Sequence, residues 1–204
     1  MWGVADYGAF VVAIVVFLMV PGPGNVALIT STGKGGFLGG MAATLGVIAG
    51  DQVLMWLAVA GVAALLAAYP AAFNAVQWLG AAYLAYLGVR MVLAKPGDAP
   101  VIQIRPGQYF RQALAITLLN PKAIVFYMAF FPLFVDPALH QGLLTFGFMA
   151  LTIALLTLLY GLVVVGLTHT LAERLRAQPK IGQALEKLAG VCLIGFGIKL
   201  ALSR

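Results

Sequence analysis

The sequence predicts an all-α polytopic membrane protein of six transmembrane helices, arranged as two inverted three-helix repeats in which helices one and four are broken by proline. Three observations carry this. Of 204 residues, 63% are hydrophobic and 9% charged, with mean hydropathy +1.03; soluble domains are about 45–50% apolar and about 25% charged. The apolar residues gather into six runs, at about 7–31, 38–67, 72–93, 112–135, 143–168 and 184–202, each near the ~20 residues that a spanning helix needs. Two runs carry breaks that a lipid-exposed helix would not tolerate: Pro21-Gly22-Pro23-Gly24-Asn25 in the first and Asn120-Pro121-Lys122 in the fourth.

The residues before the first run, Met1 to Asp6, hold no basic side chain. A cleaved signal peptide is therefore not expected, and the first span should stay in the mature chain. Within it each proline removes a backbone donor and crowds the carbonyl one turn back. In a bilayer such freed groups must find partners inside the protein or along a wet cavity. The break therefore predicts a discontinuous helix whose ends face a substrate near mid-membrane.

A connector with Lys34 and the glycines Gly35, Gly36, Gly39 and Gly40 leads to span two, where Gly46 and Gly50 continue the same small-xxx-small spacing. These glycines are expected to let helices approach closely. Asp51 follows, about 20 Å along the helix at ~1.5 Å per residue. A carboxyl group at that depth is costly and marks an ion or substrate path. Its two open roles are binding an ammonium group and carrying a proton.

Span three ends in Gly88-Val89-Arg90, and a polar, Pro- and Gly-containing loop occupies about 95–111. It divides a single transmembrane domain, residues 1–204, into repeat one (about 1–94) and repeat two (about 112–204). Leu79-Gly80-Ala81-Ala82-Tyr83-Leu84 resembles Leu188-Ala189-Gly190-Val191-Cys192-Leu193, and Pro23 matches Pro121. Three spans per repeat is an odd number, so the second repeat must enter the membrane from the opposite side, as in secondary transporters.

The net charge of +6 reads as a topology signal and not as a nucleic-acid surface. Lys34, Arg90, Lys95, Arg105, Arg111, Arg174, Arg176, Lys180 and Lys187 fall on one side of a six-span chain. That side is expected to be cytoplasmic, which places both termini outside.

The lone Cys192 excludes a disulfide framework and argues against a thiol-electron carrier, which needs a cysteine in each half. His140 and His169 are isolated near span ends, so no metal site or cofactor is expected. Asp51 with scattered hydroxyls forms no nucleophile or metal constellation, so the chain is not expected to be an enzyme.

The expected substrate site gathers Pro21, Gly22, Pro23, Gly24, Asn25, Asn120, Pro121 and Lys122 at the two breaks. Half-helix N-termini there favour an anion. Lys122 has three open roles: contacting a substrate carboxylate, pairing with Asp51, or snorkelling to the cytoplasmic face. Gln52, Trp56, Phe126, Tyr127, Met128 and Tyr160 are candidate pocket residues. Such a site suits a zwitterion with an apolar side chain.

Val20-Pro21-Gly22-Pro23, Gly46-Val47-Ile48-Ala49-Gly50-Asp51, Tyr83-Leu84-Ala85-Tyr86-Leu87-Gly88 and Asn120-Pro121-Lys122-Ala123 together resemble the lysine/homoserine–threonine exporter family of amino-acid efflux carriers. The resemblance runs the full length. Around Gly50-Asp51-Gln52-Val53-Leu54-Met55 and Asn120–Tyr127 the chain looks most like the leucine exporter type. That implies proton-driven efflux of leucine or similar neutral amino acids across a bacterial inner membrane. Export of homoserine, threonine or another small metabolite is the alternative. The implied partners are the amino acid, the proton and membrane lipid, with a homodimer as a candidate assembly.

Overall fold

The computed structural model describes residues 3–4, 6–68, 104–135 and 142–176, with isolated positions at 82, 86, 89, 92–93, 191 and 194. The described elements are helical: α1 (Tyr7–Met19), α2 (Pro23–Ala68), α3 (Tyr109–Leu118), α4 (Pro121–Val125) and α5 (Leu143–Arg176). One π-helical turn (Phe126–Phe130) and one 3-10 turn (Phe131–Phe134) continue from α4. The expected third and sixth spans, and Cys192 and His140 with them, lie outside the described residues apart from a few single positions.

Asp6 starts α1 by accepting a hydrogen bond from Ala9 N at 2.9 Å, which satisfies one of the donors left free at a helix start. The helix stops where expected. Val20 precedes Pro21 and takes an extended backbone, φ −62° and ψ 116°, because the proline ring disfavours helical geometry in the residue before it. The second break repeats the device. Asn120 precedes Pro121 and is extended at φ −76° and ψ 110°. In each case the chain resumes its helix on a proline, where a missing N–H costs nothing.

The connector expected between spans one and two is itself helical. Only Gly36 departs, at φ 62° and ψ −160°, a conformation that a side chain would strain. The kink there redirects α2, and the helix then runs on through Asp51.

Among the described residues two helices are long and apolar enough to cross a membrane: Pro23–Gly61, with 39 residues including the Gly36 kink, and Leu143–Thr170, with 28. The chain has two recognisable ends. At one, Val4 and Val135 form an antiparallel bridge and Tyr7 meets Thr152 at 3.4 Å between hydroxyl oxygens. At the other, Lys34 Nζ donates to the Ile104 carbonyl at 2.8 Å and the Phe37 and His169 rings lie 6.4 Å apart.

Packing differs between these ends. Toward Val4 and Val135, α1 meets the π and 3-10 turns and α5 through aromatic rings: Phe17 stacked on Phe126 at 4.2 Å, Phe10 with Phe134 at 5.3 Å, and Tyr7 with Phe148 of α5 at 5.2 Å. Ring pairs at such distances add to simple area burial. Toward Lys34 the core is smaller and aliphatic, built from Ala27, Leu28, Ala43, Val47, Ile104 and Ala113.

The glycines of α2 act as contact points. Gly46 lies against the Phe110 carbonyl, and a Cβ at Gly50 would come within 2.7 Å of Thr117 Cβ. The absence of side chains lets the α2 and α3 backbones approach closely. Gly50→Val should therefore overpack this contact and destabilise the fold by about 1–3 kcal/mol, read as a lower thermal midpoint of the purified protein in detergent. Gly33 has no atom within 4 Å of an added Cβ, so Gly33→Val should leave the midpoint unchanged. Equal effects of the two substitutions would refute the close contact.

Candidate functional site

The two breaks meet. Pro21 has no N–H, so the Phe17 carbonyl one turn back loses its helical donor. Lys122 Nζ, from the second break, replaces it: it donates to Phe17 O at 3.2 Å and to Val20 O at 2.8 Å. The ammonium also lies 4.6 Å from the centre of the Phe17 ring, within cation–π range. Gly22 leaves room for this approach, since a Cβ there would sit 3.3 Å from Lys122 Nζ. Asn25 completes the cap, its amide nitrogen donating to Leu18 O and to Val20 O, both at 3.1 Å. Tyr160 of α5 hydrogen-bonds the Asn25 side chain.

Asn120 plays the opposite part at its own break. Its Oδ1 accepts from Lys122 N at 3.1 Å, capping the start of α4. One of the N–H donors at this half-helix start is thus already taken. Lys122 is only 8% exposed and does not snorkel.

Asp51 is 1% exposed. It lies fifteen residues past the Gly36 kink, about 22 Å along the helix axis. Its side chain hydrogen-bonds the Tyr127 hydroxyl, which the π-helical turn presents, and it attracts Lys122 electrostatically. The ammonium's own hydrogen bonds go to carbonyls, so a direct Asp51–Lys122 bond is not what holds either group.

These residues surround a small cavity, partly open to the exterior, of about 30 Å³. That is room for about one or two waters, so a ligand of amino-acid size requires it to widen. Asp51, Asn25, Asn120, Lys122, Gly24 and Tyr160 line it, with Thr117 and Thr157. Its apolar wall comes from Phe17, Leu18, Leu28, Val47 and Ala123.

Several expected pocket residues serve elsewhere. Trp56 and Met128 are 37% and 48% exposed and face away from the cavity. Phe126 lies behind it, stacked on Phe17. Gln52 Nε2 donates to the Ala150 carbonyl at 3.1 Å and ties α2 to α5. Pro21, Gly22, Pro23 and Pro121 shape the breaks without lining the cavity.

Thr117 was not legible as a site residue, and Thr157 was only one hydroxyl among several in span five. Among the described residues four buried side-chain oxygens have no hydrogen-bond partner: Ser31 Oγ, Asp51 Oδ2, Thr117 Oγ1 and Thr157 Oγ1. The last three belong to cavity residues.

A family model for the LysE type translocator matches residues 15–204. The chain is similar to an uncharacterized membrane protein of Pseudomonas aeruginosa, at 36% identity over 207 residues, covering 98% of this chain and 96% of that one. It is also similar to the leucine efflux proteins of Salmonella choleraesuis and Salmonella typhimurium, at 35% identity over 205 residues with the same coverage of 98% and 96%. No solved structure matches. A cavity between paired helix breaks, on helices apolar enough to cross a membrane, thus sits in a chain that belongs to the LysE type translocator family of membrane transport proteins.

Proposed function

We propose that this chain exports leucine or a similar neutral amino acid across the bacterial inner membrane, coupled to proton entry, with a site that alternates its access between the two sides. One observation carries the reading. A cavity between the two helix breaks is lined by both Asp51 and Lys122, which attract each other electrostatically, and by apolar side chains. That pattern complements a zwitterion: a carboxylate toward Lys122, an ammonium toward Asp51, and an aliphatic side chain against Leu28 and Val47. Lys122 has three N–H donors and spends two on Phe17 and Val20, which leaves one for a substrate carboxylate. The similarity to leucine efflux proteins supports leucine as the first substrate to test.

The six-span inverted repeat belongs to the same proposal, with repeat one at about 1–94, a cytoplasmic loop at about 95–111 and repeat two at about 112–204. Its support is the matched pair of breaks and the antiparallel Val4–Val135 bridge, since repeats of opposite insertion bring their first and fourth spans together running in opposite directions. Lys34 and Ile104 share one end, as a cytoplasmic face holding both basic connectors requires. In that arrangement both termini are outside. Asp51 takes up the proton that exchanges with the substrate ammonium.

Counterflow of labelled leucine in proteoliposomes holding the purified chain tests the function. Leucine exchange is expected, competed by isoleucine and methionine and not by lysine; a folded protein that exchanges no leucine would sink the reading. Asp51→Asn should lower exchange about 10- to 100-fold, the loss of one charge-assisted hydrogen bond of about 1.5–3 kcal/mol, and unchanged exchange would remove Asp51 from the site. Lys122→Met should abolish exchange and also lower the thermal midpoint, because it leaves the Phe17 and Val20 carbonyls short of a donor, at a cost of about 1–3 kcal/mol. A midpoint at the wild-type value would show that Lys122 does not hold the break.

A further inference from the structure

We infer that Asp51, Thr117 and Thr157 form a seat that counts the donors of a primary ammonium group, so that the site selects a primary amine over an N-alkylated amine or the corresponding hydroxy acid. The inference deepens the amino-acid export reading and rests on it.

Six of the threonines separate into two groups. Thr32, Thr44, Thr152 and Thr170 each donate to the carbonyl four residues back, at 2.7, 3.0, 2.9 and 2.8 Å. That is the ordinary resting place of a helical threonine hydroxyl in apolar surroundings. Thr117 and Thr157 are also helical, at 3% and 2% exposure, yet their hydroxyl oxygens have no partner. Both line the cavity, and so does Asp51, whose Oδ2 is likewise unpartnered. A buried polar atom without a partner is costly, and three around one cavity indicate a ligand that supplies what they lack.

The chemistry of that ligand follows from the atoms. A carboxylate oxygen and two hydroxyl oxygens can all accept. Three acceptors match the three N–H donors of a primary ammonium. The side-chain donors of Lys122 and Asn25 already make four hydrogen bonds to carbonyls of the first break; the spare Lys122 N–H would repel an ammonium and attract a carboxylate. The seat thus orients the zwitterion as well as binding it. Thr117 is held in place by its contact with Gly50, the residue beside Asp51.

The test uses the full chain in proteoliposomes, with labelled leucine counterflow and three unlabelled competitors: leucine, N-methylleucine and 2-hydroxy-4-methylpentanoate. N-methylleucine, one donor short, should compete about tenfold more weakly than leucine or worse, and the hydroxy acid should not compete. Thr117→Val and Thr157→Val should narrow the gap between leucine and N-methylleucine, and Thr157→Ser should restore it. Wild-type protein that accepts N-methylleucine as well as leucine overturns the seat while leaving export standing, and this comparison needs no variant to fold. Exchange that requires sodium and tolerates N-methylleucine also overturns it, by assigning the three oxygens to a metal cation. Failure of wild-type protein to exchange leucine at all overturns the export reading and the seat with it.

Discussion

The constraint on which this structure depends is the satisfaction of backbone groups set free by proline. Pro21 leaves the Phe17 carbonyl without its helical donor, and the extended Val20 adds another acceptor. In water such groups would be hydrated; inside an apolar bundle each needs an internal partner. Lys122 supplies it from the far side of the chain. The requirement binds the first break to the second, brings α1 beside α4, and fixes a cation at a depth where an unpaired one would be expensive. A lysine that could have reached water is held by two carbonyls and an aromatic ring.

The same constraint explains the placing of Asp51. The kink at Gly36 turns α2 back along the bundle, and the close approach of Gly46 and Gly50 to α3 brings Asp51 to the level of the breaks. The π-helical turn after α4 then presents the Tyr127 hydroxyl to the carboxyl group. Widened turns of this kind interrupt regular hydrogen bonding and commonly occur at functional sites. Aromatic packing fills the space beyond, toward Val4 and Val135, so the cavity lies between a thick aromatic layer at one end and a thinner aliphatic one at the other.

Much of this was legible in the sequence because it rests on residues with strong local rules. Proline and glycine announced both breaks, and the positions of Asp51 and Lys122 inside apolar runs marked them as candidates, which the structure brings to one cavity. The glycines of span two read correctly as contacts. What could not be read was direction. Trp56 and Met128 had the right chemistry for a pocket wall, but the helical period turns them outward. Asn25 and Asn120 looked equivalent, yet one donates to carbonyls and the other caps a helix start. The connector with Lys34 and the glycine cluster reads as lying between two spans; its glycines continue the helix except at Gly36. Thr117 and Thr157 carry no local signal, since a threonine that bonds its own helix and one that does not are identical in sequence.

The balance of donors and acceptors around the cavity gives the site its polarity. The Asn25 amide nitrogen gives its hydrogens to Leu18 and Val20, Asn120 Oδ1 is committed to the α4 start, and Lys122 gives two of its three. The breaks have therefore taken the Asn25 amide hydrogens and two of the three Lys122 donors. On the cavity residues Asp51 Oδ2 and the hydroxyl oxygens of Thr117 and Thr157 stay without partners, and all three can accept. Proline set that balance, because the N–H that Pro21 lacks is replaced at the Phe17 carbonyl by a side-chain donor of Lys122. A cavity built this way favours a ligand that is rich in donors at one end and needs a single donor at the other, which is the pattern of an α-amino acid.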